Sequence, residues 1–216
     1  MIKVCRADGC ILGATDDGAG NLSCVFCEMQ KMCLTSWGIR DKIISVVLNL
    51  CACGRQRTEE LMRVCFTGHR RIDTRYVERT VRTLEGLIED ICKGRSVDFY
   101  TGGAVGFDTI AALCVLVAQD GGADVRLHLI LPCRAQTRGW SVADRGKYDY
   151  IMSRASSVTY VSDDYTQSCM QERNRALVDA SDICVAYYNG MPNGGTAYTV
   201  RYAQKRGVEV KNIYMQ

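Results

Sequence analysis

Residues 99–108 read Phe-Tyr-Thr-Gly-Gly-Ala-Val-Gly-Phe-Asp. A short apolar strand, Val97–Tyr100, runs into Thr101-Gly102-Gly103, and an apolar helix opens at about Val105 and continues through Ala118. Glycines at such a turn let backbone N–H groups approach an anion closely, and the positive end of the helix dipole adds to the attraction. The same turn also serves as a tight connection with no ligand, so its weight depends on company. Two more polar turns follow strands here, Thr67-Gly68-His69-Arg70 and Asn193-Gly194-Gly195-Thr196. Strand-end turns of this kind, repeated along one chain, point to a single crevice at the carboxyl ends of parallel strands.

Outward from that stretch, strand and helix patterns alternate from Met62 onward. Arg63–Thr67 reads as a first strand. Arg75–Lys93 reads as an amphipathic helix with Val77, Val81, Leu84, Leu87, Ile88 and Ile91 on one side. Val125–Leu131 is a third strand ending at Pro132. A long polar loop with Gln136, Arg138 and Trp140 leads to a short helix near Lys147–Arg154. Ser157–Val161 is a fourth strand, Cys169–Ala180 a helix, Ile183–Tyr187 a fifth strand, Thr196–Arg206 a helix and Glu209–Tyr214 a last strand. This alternation predicts an α/β domain with a mostly parallel sheet and helices on both faces.

The 216 residues allow one full domain plus a small extra piece. With 27 basic and 24 acidic residues the formal charge is +3, too balanced to imply nucleic acid or membrane as a partner. The longest aliphatic run, Ile43–Leu50, is interrupted by Ser45 and Asn49 and is too short to span a bilayer. The N-terminus lacks the long apolar core of a secretory signal. A cytoplasmic protein is therefore expected, and its 13 cysteines read as reduced thiols or metal ligands rather than disulfides.

Cysteine also divides the chain. Cys5, Cys10, Cys24, Cys27, Cys33, Cys51 and Cys53 crowd the beginning, whereas Cys114 and Cys184 look like ordinary buried thiols in apolar elements. Residues 1–60 form a Cys-rich segment without a long hydrophobic period, and 62–216 the α/β domain, with the boundary in the polar stretch Gly54–Glu60. Cys24-Val-Phe-Cys27 has the spacing of one zinc knuckle, and Cys5 with Cys10 can supply the other pair, with Cys33, Cys51 and Cys53 as competitors. A tetrahedral thiolate site would give a core-poor segment a reason to fold. Against it, the first pair encloses four residues rather than two. A zinc site, a loosely ordered extension and redox chemistry all remain open for this piece.

The motifs occur in an order that resembles a known family. Cys65-Phe-Thr-Gly-His-Arg70, Thr101-Gly-Gly-Ala-Val-Gly-Phe-Asp108, and Leu131-Pro132 followed by Gln136 and Trp140 are succeeded by Gln171-Glu-Arg-Asn174, Ser181-Asp182 and Gly194-Gly-Thr196. Together they resemble the YpsA/YoqJ-like branch of the SLOG superfamily, which also holds the DprA proteins and the LOG (lysine decarboxylase-like) phosphoribohydrolases. The resemblance covers roughly residues 62–216. It implies a Rossmann-like fold and a site for a nucleotide or nucleotide-derived ligand. Residues 1–60 lie outside it, either as a fusion or as an extension upstream of an alternative start at Met62.

The candidate ligand-binding set is Thr67, Gly68, His69 and Arg70 from the first turn, Gly102, Gly103, Gly106 and Asp108 from the second, and Gly194, Gly195 and Thr196 from the third, joined by Gln136, Arg173 and Asn174. Each has a plainer alternative. The glycines can serve the turn and close packing alone, Arg70–Arg71 can be a solvated pair, and Trp140 can pack its loop instead of stacking on a base. Asp108 would offset the helix dipole and repel a phosphate, so a ligand role there means ribose hydroxyl or metal contact. Arg173 near the start of its helix suits a phosphate through its fork geometry, against surface pairing with Glu172 or Asp179. His128, on a strand, reads as structural.

One departure bears on catalysis. LOG enzymes carry a glutamate three residues after the threonine of the late Gly-Gly-Thr turn, and here that position is Thr199. No carboxylate is then at hand for an oxocarbenium-like centre, and no catalytic residue is assigned. The expectation is a SLOG-like domain that binds or senses a nucleotide-derived small molecule as a regulator, with homo-oligomerisation open. The competing readings are a hydrolase of N-glycosidic or phosphate bonds and DprA-like single-stranded DNA binding. The last is disfavoured, because residues 62–216 hold 20 basic and 17 acidic residues and no dense basic run.

Overall fold

The computed structural model describes residues 61–214 throughout and, upstream of them, the strands β1 (Lys3–Ala7), β2 (Cys10–Asp16) and β3 (Leu22–Cys24). The chain falls into two units, Met1–Gln56 and Arg57–Gln216. In the first, β1, β2 and β3 form an antiparallel sheet in that order, with Ala7 opposite Cys10 and Ala14 opposite Cys24. The hydrophobic period gave no sign of these strands. They are short, and β2 carries Gly13 in place of a clean alternation. The expected zinc ligands fall outside the described residues: the side chains of Cys5, Cys10 and Cys24 are not described, nor is Cys27.

In the second unit six strands form one parallel sheet: β4 (Met62–Gly68), β5 (Val97–Thr101), β6 (Val125–Leu131), β7 (Ser157–Tyr160), β8 (Ile183–Tyr187) and β9 (Glu209–Asn212), in the order β7-β6-β5-β4-β8-β9. Five helices connect them: α1 (Thr74–Cys92), α2 (Phe107–Asp120), α3 (Val142–Arg154), α4 (Cys169–Asp179) and α5 (Gly195–Arg206). This is the expected Rossmann-like α/β fold.

The strand patterns follow from position. The central strands β4 and β8 are covered on both faces, so Val64-Cys65-Phe66 and all of Ile183–Tyr187 are buried. The edge strands β7 and β9 are four residues long and only half-buried. On one face Phe66 stacks on Phe99 with ring centroids 5.6 Å apart and meets Phe107 edge-on at 6.3 Å. Leu84 and Ile88 of α1, Val115 and Leu116 of α2 and Ile151 of α3 close over them. On the other face Cys65 and Cys184 lie opposite one another in register, under Leu177 and Val178 of α4 and Ala203 of α5. Burial pushes the Cys114 thiol up to about 11, and the hydrogen bond with Cys65 pushes the Cys184 thiol up. Both are inert packing thiols.

Element ends differ from the sequence reading where caps, not periodicity, decide them. The third helix starts at Val142 rather than near Lys147, because Ser141 caps it: its Oγ accepts from Asp144 N at 3.1 Å. Val142 is largely exposed, so the first turn carries no apolar signal. The helix after the glycine turn begins at Phe107, held off by Gly106 at φ 91°. The last strand ends at Asn212, whose Oδ1 accepts from Tyr188 N and Tyr214 N, both at 3.1 Å.

Connections from β4 run one way through β5, β6 and β7, whereas β8 and β9 lie on the other side of β4. The carboxyl ends of β4 and β8 therefore flank the point where strand order reverses, where α/β sheets open a crevice. Every strand and helix of this sheet lies between Met62 and Asn212. We expect a chain shortened to begin at Met62 to lose its native circular-dichroism signal in a single cooperative urea transition. A broad, molten profile beside a sharp one for the full chain would show that the upstream residues complete the core.

Candidate functional site

A cavity of about 290 Å³ opens at this reversal point. Thr67, Gly68, His69 and Arg70 reach it from the end of β4, and Ala104 and Asp108 from the connection between β5 and α2. Gly195 and Thr196 contribute the first turn of α5, which carries no acidic residue. From α4 come Met170, Arg173, Asn174 and Leu177. Their spacing of three, four and seven residues turns one face of the helix to the cavity. Met170 and Leu177 were missed in the sequence, although this spacing from Arg173 and Asn174 was there to find them.

Of the expected ligand set, Thr67, Gly68, His69, Arg70, Asp108, Arg173, Asn174, Gly195 and Thr196 line one cavity. Gly102, Gly103, Gly106, Gln136 and Gly194 are not among the lining residues and stand behind or beside the wall. Gly102 lies under the Arg173 guanidinium, where a Cβ would overlap Nη1. Gly103, at φ 60°, packs toward Leu131 and Tyr148. At Gly106 a Cβ would strike the carbonyls of His69 and Arg70, so this glycine lets the first and second turns touch. Gln136 is buried, and its Nε2 donates to the carbonyls of Gly102 and Gly103, both at 3.0 Å. It clamps the glycine turn from outside. Gly194, at φ 100°, is the N-cap of α5.

The charged centre is the pair Asp108 and Arg173, both buried. Arg173 does not pair with Glu172 or Asp179 at the surface, the alternative raised by its neighbours in sequence. Its Nη1 lies 3.6 Å from Asp108 Oδ2, within ion-pair range but beyond a hydrogen bond. Neither Nε nor Nη1 of Arg173 has a hydrogen-bond partner. Asp108 Oδ2 accepts weakly from Ala104 N at 3.4 Å. Burial pushes the Asp108 carboxyl above the ordinary carboxylate range despite the pull of Arg173. Burial likewise draws the Arg173 guanidinium down, and the nearby Arg70 charge adds to that effect. In both groups desolvation outweighs mutual attraction, so the pair is under-compensated.

Other candidates lie elsewhere. Trp140 packs edge-on against Tyr148 with centroids 5.6 Å apart and lines none of the cavity. His128 has Nδ1 2.7 Å from Ser157 Oγ and Nε2 3.2 Å from the Asp98 carboxylate, which also accepts from Arg126 Nε at 2.6 Å. Thr199 is fully buried, and its Oγ1 donates to the carbonyl of Gly195 at 2.9 Å. Among the described residues no group of three or more His, Cys, Asp and Glu side chains is placed to hold a metal ion, and no helix is long and apolar enough to cross a membrane.

Two outcomes follow from this geometry. Gly102→Ala must displace the guanidinium, and is expected to cost ~1–3 kcal/mol in urea denaturation while the chain still folds. Asp108→Asn removes a titration. Because the folded state holds the Asp108 proton more tightly than the ordinary value of 3.8, this group's contribution is complete below that value. It is lost as pH rises through the raised one. The stability of the wild type relative to Asp108→Asn should therefore fall as pH rises from about 3. A flat difference between the two denaturation profiles would contradict it.

The model of the YspA SLOG family matches residues 64–215. The uncharacterized SPbeta prophage-derived protein YoqJ of Bacillus subtilis (strain 168) is 27% identical over 135 residues, covering 56% of this chain and 78% of that protein. A UPF0398 protein of Bacillus thuringiensis (strain Al Hakam) is 29% identical over 114 residues, 52% of this chain, and the match spans only 61% of that protein's length. Among solved structures, DNA processing protein A from Helicobacter pylori, described for its single-stranded DNA binding mode, superposes with a TM-score of 0.52 at 18% identity. That likeness covers 69% of this chain and 63% of the other, and it speaks to the fold alone.

Proposed function

Because the chain belongs to the YspA SLOG family, we propose that its α/β domain binds a nucleotide or nucleotide-derived ligand in the reversal-point cavity, as a sensor or regulator rather than a hydrolase. The observation that carries this reading is Arg173, a buried guanidinium that lines the cavity with two of its nitrogens unpartnered. An anion entering the cavity supplies the missing compensation, and Arg70 adds a second positive charge. The first turn of α5, at Gly195 and Thr196, presents the positive end of a helix to the same space. Thr67, Asn174 and Thr196 offer neutral hydrogen-bonding groups suited to ribose or base. Asp108, the lone carboxylate among the lining residues, can accept from a ribose hydroxyl.

That single carboxylate also supports binding over turnover. Cleaving a ribosyl–base bond builds positive charge on the sugar and calls for an acid–base pair. Thr199 carries no charge and points away into packing, so its position supplies no second acid. A second reading, single-stranded DNA binding, is favoured by the likeness to DNA processing protein A. That likeness weakens the exclusion of nucleic acid drawn from charge balance.

Isothermal calorimetry of the full chain against nucleoside mono- and diphosphates, dinucleotides and ADP-ribose is the test. At least one should bind, and Arg173→Ala should weaken it by about 100-fold, the order expected when a charge-assisted contact is lost from a desolvated site. No binding to any member by folded, ligand-free protein would defeat the reading. Incubation with AMP should release no adenine by chromatography. Release that Arg173→Ala abolishes would make the protein a hydrolase.

A further inference from the structure

A second hollow, of about 470 Å³, adjoins the cavity and shares His69 and Arg70 with it. Arg71, Tyr76, Tyr187 and Tyr214 complete most of its wall. None of these four belongs to the inner cavity.

His69 is the partition between the two spaces, and it is fixed at several points. Its carbonyl accepts from Phe107 N at 3.1 Å, and its ring Nε2 accepts from Asn189 N at 3.1 Å. The ring sits among Tyr187, Tyr188 and Tyr214 at centroid distances of 6.2, 6.2 and 6.4 Å. A wall held in this way does not swing aside to merge the two spaces. A ligand using both must pass over it, along Arg70.

The charge in the outer hollow is free to meet an anion. Arg70 and Arg71 are exposed, and among the described residues neither makes an ion pair. Asp73, the carboxylate of this hollow, is already engaged: Arg75 Nη2 holds it at 2.7 Å, and it caps α1 through Arg75 N at 3.0 Å. Tyr76 and Tyr214 are half-buried and leave ring surface toward the space. Two unpaired guanidiniums beside tyrosine rings match the chemistry of a phosphate followed by a base, which stacks on aromatic side chains whatever its identity.

We propose that the outer hollow is a second nucleotide subsite, so that the site takes two nucleotide units joined through phosphate. One phosphate lies at Arg173, the next at Arg70 and Arg71, and a base rests against Tyr214 and Tyr76. This rests on the nucleotide-binding reading of the inner cavity. A free dinucleotide and the end of a single strand share this chemistry.

Calorimetry of the full chain with the four common nucleoside 5′-monophosphates, the 5′-phosphorylated dinucleotides pApA and pTpT, and an oligothymidylate of roughly twenty units tests it. The dinucleotides should bind about tenfold or more tighter than the monophosphates. Arg71→Ala, a change at an exposed side chain, should remove that advantage and leave monophosphate binding unchanged. Tyr214→Ala should do the same if it folds. Equal affinity for one and two units, or an undiminished dinucleotide affinity in Arg71→Ala, would overturn the second subsite while leaving the inner site standing. Absence of binding by every probe would remove both. A tighter, steeply salt-dependent interaction with the oligothymidylate identifies the strand as the source of the two units, and equal affinity identifies the free dinucleotide.

Discussion

The site depends on a guanidinium that the fold keeps away from water. Arg173 lies across Gly102, and only the missing Cβ of that glycine leaves room for it. Removing an arginine from water costs several kcal/mol, and an ion pair repays this only with good geometry and satisfied hydrogen bonds. Here the opposing Asp108 stands too far for a hydrogen bond, and two of the guanidinium nitrogens go without one. The surrounding packing therefore carries the expense. Gln136 holds the Gly102 and Gly103 carbonyls, and the contact between Gly106 and the His69–Arg70 backbone ties the first and second turns together. Such an arrangement costs the fold stability and leaves an under-compensated positive charge facing the cavity.

The cavity brings together one carboxylate, one buried arginine and several neutral hydrogen-bonding groups, with no second carboxylate among its lining residues. The family model spans the α/β domain, and the likeness to DNA processing protein A is one of fold; the cavity follows from the strand order, which reverses between the carboxyl ends of β4 and β8. Beyond the inner wall the chemistry changes, with arginines and tyrosines around His69 in place of the neutral hydrogen-bonding groups.

Much of this was legible in the sequence because it is local. The alternation of apolar runs defined five helices and six strands, and part of each polar turn, Thr67–Arg70, Asp108 and Gly195–Thr196, lines one cavity. Three-dimensional contacts decided the rest. The separate contributions of Gly102 and Gly103 depend on what each would strike, which no spacing rule reports. The pairing of Asp108 with Arg173 spans α2 and α4 and has no signature in either segment. Gln136 entered the ligand set with the motif that follows Leu131-Pro132, and its amide reaches 34 residues back to a backbone carbonyl, a contact no local pattern reports. The tyrosines around His69 come from the end of β8 and from beyond β9, so only the closed sheet brings them together.

The strand order also governs how the chain reaches this state. β4 is the first strand of its sheet to be synthesised, yet its far edge is closed by β8, with Arg63 bonded to Asp182 across 119 residues. Closing so long a loop spends chain entropy before any contact rewards it. A nascent chain that has completed β5, β6 and β7 still shows one bare edge of β4, with Val64, Cys65 and Phe66 at its centre and no partner for their N–H and C=O groups. Such an edge invites pairing with other chains until the last quarter of the polypeptide arrives. The turn that leads into the crevice is thus made early and seated late, and the protein acquires its pocket only when α4, β8 and α5 have left the ribosome.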